Sequence, residues 1–240
     1  MLEPLAALLQ FETRLPLGRP ADFGSFAARS WLYPIAGYVV GGIAATAAYL
    51  TGTRPLPAAA VALAVSLLVN GFHHFDGLLD FGDGLMAHGS RERRVSALTD
   101  RSVGAGGVGL GLSVTLLAFA SLASVSSVWV AILAGEVFAR VGTAWITIGG
   151  RPFREGIHAT LHRSARPVHG LYAALFMLPL LLVLRPGSLI LSGGITALTV
   201  AVMIALGDRL FGGVNGDIAG ATHEMVRALV IASLAMAPVI

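Results

Sequence analysis

One long apolar stretch of the chain, Val128–Ile148, has the sequence VWVAILAGEVFARVGTAWITI. A helix needs about 20 apolar residues to cross the hydrocarbon core of a bilayer. This stretch is that long and carries two ionisable side chains, Glu136 and Arg140. Buried charge is costly in lipid, so these two residues are expected to pair with each other or to face a polar cavity where they contact a substrate. The stretch therefore predicts a transmembrane helix.

Six further apolar stretches lie on either side of this one, namely Trp31–Leu50, Leu56–Phe75, Val108–Val125, Gly170–Leu184, Ser188–Leu206 and Met225–Ile240. Hydrophobic residues make up 55% of the chain and charged residues 12%, with a mean hydropathy of +0.79. A soluble domain usually carries about twice that share of charge. The 30 glycines fit close packing of membrane helices. We therefore predict an all-α, polytopic membrane bundle of about seven transmembrane helices.

The N-terminal residues Leu2–Phe11 are expected to form a short amphipathic helix at the membrane interface, with an ordinary buried helix as the alternative. Glu3 and Glu12 interrupt this region, which does not resemble a secretory signal. No repeat, low-complexity tail or linker is evident, so residues 1–240 are predicted to form a single membrane-embedded catalytic domain. The chain has no cysteine, which excludes disulfides and thiolate metal sites.

Charge placement predicts the orientation of the spans. With a cytoplasmic N-terminus, thirteen of the sixteen arginines fall in inner segments, whereas the outer loops hold only Arg54 and Arg185. The acids from Asp76 to Glu224 that lie outside the spans fall on the same inner side. We therefore expect a multi-pass protein of the cell (plasma or inner) membrane whose active site faces the cytoplasm.

The most distinctive segment of the chain is His73–Gly84, with the sequence HHFDGLLDFGDG. Asp76, Asp80 and Asp83 are spaced i, i+4, i+7, which places them within about 60° on one helix face, together with His73. Three like charges repel each other, and a divalent cation compensates for that repulsion. Magnesium prefers oxygen ligands and is often held by one or two carboxylates with substrate phosphates. A solvated helix end with scattered acids is the simpler alternative.

Two Arg-containing segments on the same side are candidate phosphate sites. Arg101 precedes the glycine-rich run Gly104–Gly107, and free backbone N–H groups ahead of a helix, with a guanidinium, suit a phosphate. Arg154 could clamp diphosphate oxygens. The charge run Arg91–Arg94 is interpreted as an anchor on the inner membrane surface. His158 and His162 have the i, i+4 spacing of zinc ligands, but no third ligand is evident and zinc is not expected.

A last polar segment contains the turn dipeptide Asn215-Gly216, so Asp217 is expected to open the final helix. Asp217 and Glu224 are seven residues apart and repeat the spacing of the acidic segment without its middle acid. One or both could complete the metal site from the opposite side, and a helix N-cap is the competing role for Asp217.

The spacing Asp80-x-x-Asp83-Gly84-x-x-Ala87 is similar to part of the motif of the CDP-alcohol phosphotransferases, with His88 where that family has Arg. That resemblance implies metal-assisted attack on a nucleotide phosphoanhydride. A phospholipid synthase of this type is therefore one alternative function. A transporter is another, although its ionisable residues would be expected near the bilayer midplane.

The segments taken together resemble the adenosylcobinamide-GDP ribazoletransferase, or cobalamin synthase, family over nearly the whole chain. The resemblance rests on Phe11–Pro16 (FETRLP), Tyr33–Gly37 (YPIAG), His74–Gly84 (HFDGLLDFGDG), Arg154–Gly156 (REG) and Gly212–Asp217 (GGVNGD). Asn215 stands where the family tends to have Thr.

This resemblance implies that adenosylcobinamide-GDP reacts with α-ribazole or its 5′-phosphate to give adenosylcobalamin or its phosphate, with release of GMP. A ribazole 5′-hydroxyl is expected to attack the corrinoid-side phosphorus, and Mg²⁺ is the expected cofactor. The predicted metal ligands are Asp76, Asp80, Asp83 and Asp217, and one of the first three or His73 would accept the proton. The candidate substrate-binding residues are Arg14, Arg101, Arg154, Asn215 and Glu224. The lipid bilayer is the expected partner, nucleic acid is not, and the sequence leaves a homo-oligomer open.

Overall fold

The computed structural model describes residues 2–52 and 54–236, and its regular structure there is helical. The helices are α1 (Leu2–Glu12), α2 (Phe23–Ala27), α3 (Tyr33–Leu50), α4 (Pro55–Asn70), α5 (His73–Met86), α6 (Arg91–Leu98), α7 (Ala105–Ser124), α8 (Val128–Gly149), α9 (Ile157–Ser164), α10 (Pro167–Leu175), α11 (Pro186–Leu206) and α12 (Gly216–Met236). Short 3₁₀ turns cover Ser30–Leu32 and Leu178–Leu182, and a π turn covers Gly207–Phe211.

The helices confirm the predicted all-α, polytopic membrane architecture. Within the described ranges, five helical segments are long and apolar enough to cross a membrane, and up to seven spans result if each of two bent helix pairs counts as one. The five are Ser30–Leu50, Ala105–Ser124, Val128–Gly149, Pro186–Phe211 and Gly216–Met236. The protein is therefore a multi-pass membrane protein.

The predicted single span Leu56–Phe75 is wrong, because the chain bends by 93° between α4 and α5. Gly71 ends α4 in the left-handed conformation, with φ +66°, and Phe72 follows with φ +61°. A left-handed glycine is a common helix C-cap, since it lacks the Cβ that makes this conformation unfavourable. The acidic segment is consequently a separate helix that lies nearly perpendicular to α4.

Two other predicted spans have different bounds in the structure. The predicted Gly170–Leu184 span is part of a second bent pair, in which α9 meets Pro167–Leu182 at 95°. The predicted Met225–Ile240 span begins much earlier, at Gly216, and residues 237–240 lie outside the described ones. Asp217 therefore lies in the first turn of the final helix, as predicted, and Glu224 lies on the same helix.

Helix α8 forms the centre of the bundle, with 83% of its span buried. It packs against α3 and α12, while α5 packs against α12 and α7. The N-terminal helix α1 buries Ala7 and Leu8 in a second apolar cluster with Phe26 and Tyr33. The predicted interfacial helix thus has one face packed on the protein, which holds Glu12 and the following residues against the bundle.

Candidate active site

The three aspartates of α5 form one charged face, as their spacing predicted. Asp76 is exposed, and Asp80 and Asp83 are partly buried. The charged groups that act most strongly on the Asp80 carboxyl are Asp217, Asp76, Asp83 and Arg154. The carboxylate face therefore meets a fourth acid and an arginine from other parts of the chain.

Asp217 reaches this face because α12 packs directly against α5. A Cβ placed on Gly77 would lie 2.7 Å from the carbonyl oxygen of Asp217 and 3.0 Å from its Cα. Only a residue without a side chain allows the two backbones to come so close. The first turn of α12 is thereby held beside the acidic face, opposite Asp76 and Asp80.

We expect Gly77→Ala to separate α5 from α12 and to lower activity, because the new methyl group meets backbone atoms that cannot rotate away. Overpacking of this kind typically destabilises a protein by about 1–3 kcal/mol. Gly109→Ala is the matched control, since a Cβ there meets nothing within 4 Å. Thermal unfolding in detergent and the rate of product formation would both be measured. Equal behaviour of the two variants would contradict the close contact.

Asn215 caps α12, a role that the sequence assigned to Asp217 as an alternative. The Asn215 side-chain oxygen accepts a hydrogen bond from the Ile218 backbone N–H at 3.1 Å, and its Nδ2 donates to Asp217 Oδ2 at 2.6 Å. Asn215 is only 3% exposed, so it orients Asp217 instead of offering a free surface to substrate. The N-cap role proposed for Asp217 is therefore wrong, and its carboxylate points toward the acidic face.

Arg154 is brought to the site by a backbone pairing between two inner loops. The Val214 N–H donates to the Arg151 carbonyl at 2.7 Å, and Pro152 and Val214 form a parallel bridge. Arg154 Nη2 then lies 3.6 Å from Asp217 Oδ2, with about half of its side chain exposed. An exposed guanidinium next to a carboxylate cluster is well placed to meet phosphate oxygens.

Asp83 differs from its two neighbours, because both of its carboxylate oxygens bind the start of α7. The Gly104 and Gly107 N–H groups donate to Asp83 at 2.6 and 2.8 Å. These two N–H groups belong to the glycine-rich run that the sequence predicts as a phosphate site. Asp83 therefore anchors α7 to α5, and the glycine-rich run is occupied by protein instead of standing open.

The remaining predicted arginines lie at the rim of this region. Arg101 is exposed in the loop before α7. Arg14 is exposed next to the α4–α5 bend, where a Cβ on Gly71 would lie 2.6 Å from its Cγ. Arg94 does more than anchor the membrane surface, since it donates to the Leu85 carbonyl at 2.8 Å and so caps the end of α5.

Below the carboxylate face lies a buried ionic network that the sequence revealed only in part. Glu136 and Arg140 form the expected ion pair, with Arg140 Nη1 2.7 Å from Glu136 Oε2. Arg140 also contacts Asn70 Oδ1 at 2.6 Å and lies 3.1 Å from Glu12 Oε2. Burial alone would raise the pKa of Glu12, but the charges of His74 and Arg140 outweigh it and hold this pKa well below its usual range.

Helix α12 contributes the rest of this network. Arg227 pairs with Glu224 in a very short contact and lies 3.2 Å from Glu136 Oε1. The His223 ring stacks on the His74 ring at 4.0 Å. Glu224 is 1% exposed, so it is bound to Arg227 and is not available as the predicted substrate contact. Arg227 likewise belongs to the interior and not to the inner loops where the arginine count placed it.

Sequence reasoning missed Glu12, His74, Arg227 and His223 as members of this network, because each was read within its own segment. The only signal available was that ionisable residues recur on helices that are otherwise apolar. His158 Nε2 and His162 Nδ1 contact the Gly150 and Thr147 carbonyls, both at 2.9 Å, so the backbone takes up one nitrogen of each ring.

A family model described as cobalamin-5-phosphate synthase matches residues 4–235 of the chain, which include all of the residues above. The chain belongs to this family. A relative from Halorubrum lacusprofundi, named adenosylcobinamide-GDP ribazoletransferase, is 35% identical over 95% of this chain and 94% of its own length. Relatives with the same name from Methanococcoides burtonii and Bradyrhizobium diazoefficiens are 32% and 31% identical, over 95% and 98% of this chain. No solved structure matches it.

Membership in the cobalamin-5-phosphate synthase family confirms the resemblance inferred from the sequence and disfavours the phospholipid synthase and transporter alternatives. The family match shows that the chain is a transferase of cobalamin biosynthesis. The structure adds that two of its acidic segments, which are more than a hundred residues apart in sequence, meet at one helix contact.

Proposed function

We propose that this protein transfers the adenosylcobinamide phosphate group of adenosylcobinamide-GDP to α-ribazole or its 5′-phosphate and releases GMP. The names of the full-length relatives support this reaction. The single observation that carries it structurally is the contact of α5 with α12, which sets Asp217 and Arg154 against Asp76 and Asp80. With a divalent cation bound to its carboxylates, such a face, together with Arg154, can neutralise a diphosphate and position it for in-line attack.

The nucleophile expected from the sequence needs correction for the phosphorylated acceptor. The family description names cobalamin 5-phosphate as the product. When the 5′-oxygen already carries phosphate, it cannot attack, so a secondary hydroxyl of the ribose must be the nucleophile. Its oxygen forms a bond to the corrinoid-side phosphorus, the bond from that phosphorus to the bridging oxygen breaks, and GMP leaves with that oxygen.

A magnesium ion fits the donor set at this face. Carboxylate oxygens on α5 and α12 are the ligand type that Mg²⁺ prefers, and it commonly uses only one or two of them together with phosphates. We assign this role to Asp76, Asp80 and Asp217, with Asp83 adjacent but already bonded to α7. The ion would supply positive charge to the diphosphate.

The side chains around this face have distinct proposed tasks. Arg154, which is exposed and next to Asp217, steadies the diphosphate, and Arg14 and Arg101 at the rim extend the basic surface. A carboxylate of the α5 cluster, or His73 one turn before Asp76, accepts the hydroxyl proton. Asn215 holds the Asp217 carboxylate in place.

We further propose that the site faces the cytoplasm from the cell membrane. The loops that contain Arg154 and Asn215 lie at the same end of the bundle as α5 and α6, which carry Asp80 and Arg91. The exposed arginines Arg91, Arg93, Arg151 and Arg154 belong to these segments, and basic residues favour the cytoplasmic side.

The decisive experiment supplies purified protein with adenosylcobinamide-GDP, the ribazole acceptor and Mg²⁺, and follows GMP and the corrinoid product together. We expect equal amounts of both. CDP-alcohol donors with a lipid alcohol serve as the alternative substrate pair. Release of CMP from those donors without any GMP from the corrinoid substrate would overturn the proposal.

A further inference from the structure

A small cavity lies between α1, α3, α5, α8, α9 and α12. Its volume is about 70 Å³, and the polar side chains that line it include Glu12, Tyr33, His73, His74, Thr147 and His158. A cavity of this size holds a cation with one or two waters, because a single water needs about 10–15 Å³ by this kind of measure.

Several buried polar atoms around this cavity have no hydrogen-bond partner among the described residues. They are Oε1 of Glu12, Nδ1 of His74 and Nδ1 of His158, whereas Oε2 of Glu12 faces Arg140 Nε at 3.1 Å. The exposed fractions of these three residues are 0%, 5% and 4%. A buried polar group without a partner costs roughly 1–3 kcal/mol. So many of them around one cavity indicate that it holds a ligand for them.

The arrangement of the ligand atoms suits a metal ion. Glu12, His73 and His74 each offer one atom, and these three atoms all lie within 4.8 Å of one another. Two imidazoles with one carboxylate suit divalent transition metals, whereas magnesium prefers oxygen ligands alone. This donor set therefore differs in kind from the aspartates on the exposed face of α5.

The charge of the surroundings also favours a cation. The buried network contains three acids, Glu12, Glu136 and Glu224, but only two arginines, Arg140 and Arg227. Arg140 Nε approaches Glu12 Oε2 at 3.1 Å, which leaves Oε1 for a second positive partner. The His223 ring stacks on the His74 ring at 4.0 Å, and Tyr33 and His158 line the same cavity.

We propose that Glu12, His73 and His74 form a binding site for a divalent transition-metal ion, separate from the carboxylate site. The ion would tie α1 to the start of α5 at the bend after Gly71. Because its ring nitrogen would then be a ligand, His73 would not accept the proton of the nucleophile, and that task would remain with the aspartates. The inference does not depend on the proposed reaction.

The test uses the full chain in detergent, stripped of metal with a chelator and titrated with Co²⁺ in excess Mg²⁺. Magnesium saturates oxygen-only sites, and Co²⁺ reports nitrogen ligands through its visible absorption. We expect one tightly bound Co²⁺ per chain, and at least about tenfold weaker binding in His73→Gln, comparable to the loss typical of altered metal sites. His88→Gln, at an exposed loop histidine, and Asp80→Asn should bind Co²⁺ as the unmodified chain does.

Glu12→Gln provides a second variant. Because Glu12 also pairs with Arg140, loss of folding in this variant could be mistaken for loss of metal binding. His73→Gln is the main test variant because the described contacts of His73 are ring contacts with Phe11 and His74. Co²⁺ binding that is unchanged in His73→Gln, or a spectrum of oxygen ligands only, would overturn the proposal and leave the cavity to water.

Discussion

The Asp80→Asn variant is expected to lose about 10³-fold in kcat, which corresponds to about 4 kcal/mol of transition-state stabilisation. Asp80 lies at the middle of the acidic face, where Asp76, Asp83 and Asp217 all act on it. An amide of nearly the same size keeps the packing but removes the charge needed to hold a divalent cation against a diphosphate. The loss should therefore appear in kcat and in the magnesium dependence, with little change in stability.

The matched control is Asp208→Asn, an exposed acid on the same side of the bundle that has no place in the site. It should retain activity within about twofold, in keeping with the small effect of most surface changes. Activity would be followed as GMP release over a range of Mg²⁺ concentrations, with circular dichroism as the check on folding. An Asp80→Asn enzyme with full magnesium-dependent activity would refute the assignment of the metal site.

The second large effect is expected in stability, from Arg140→Ala. Arg140 is fully buried and contacts Glu12, Glu136 and Asn70. Its removal leaves two buried carboxylates with too little positive charge, and breaking a buried ion pair in this way typically costs about 3–5 kcal/mol. We therefore expect a markedly lower midpoint of thermal unfolding in detergent, together with loss of activity.

Arg185→Ala, at an exposed arginine before α11, is the control for removing one guanidinium. The double variant Glu136→Gln with Arg140→Met tests the cause. Since the double variant removes one acid together with the arginine, it should be more stable than Arg140→Ala. The losses in free energy of unfolding caused by its two substitutions should not be additive. Independent, additive effects of the two substitutions would show that the ion pair is not what stabilises the bundle.

Local patterns in the sequence were sufficient for the class of the protein and for its acidic helix. Apolar length predicts spans because each helix must satisfy its own backbone hydrogen bonds in lipid, whatever its neighbours are. The spacing of Asp76, Asp80 and Asp83 predicts a shared face for the same reason, since helical geometry is local. The family resemblance then identified the chemistry, because the motif residues are contiguous.

The roles of individual polar residues depended on contacts between distant segments. The sequence could not show that Asp83 accepts hydrogen bonds from N–H groups at the start of α7, or that Asn215 is the cap and also binds the Asp217 carboxylate. It also could not show that Glu224 is buried against Arg227. Each of these outcomes depends on which helix packs on which, and side-chain spacing within one helix carries no information about that.

By itself the sequence determined a multi-pass helical enzyme with a carboxylate face, since hydropathy and helical periodicity act within single segments. Only the tertiary structure shows where that face lies and which residues contact it. The bend at Gly71 turns α5 away from α4, and the bare backbone of Gly77 admits the first turn of α12. These contacts bring Asp217 and Arg154 to Asp80, because the packing of separate helices is set by their combined surfaces.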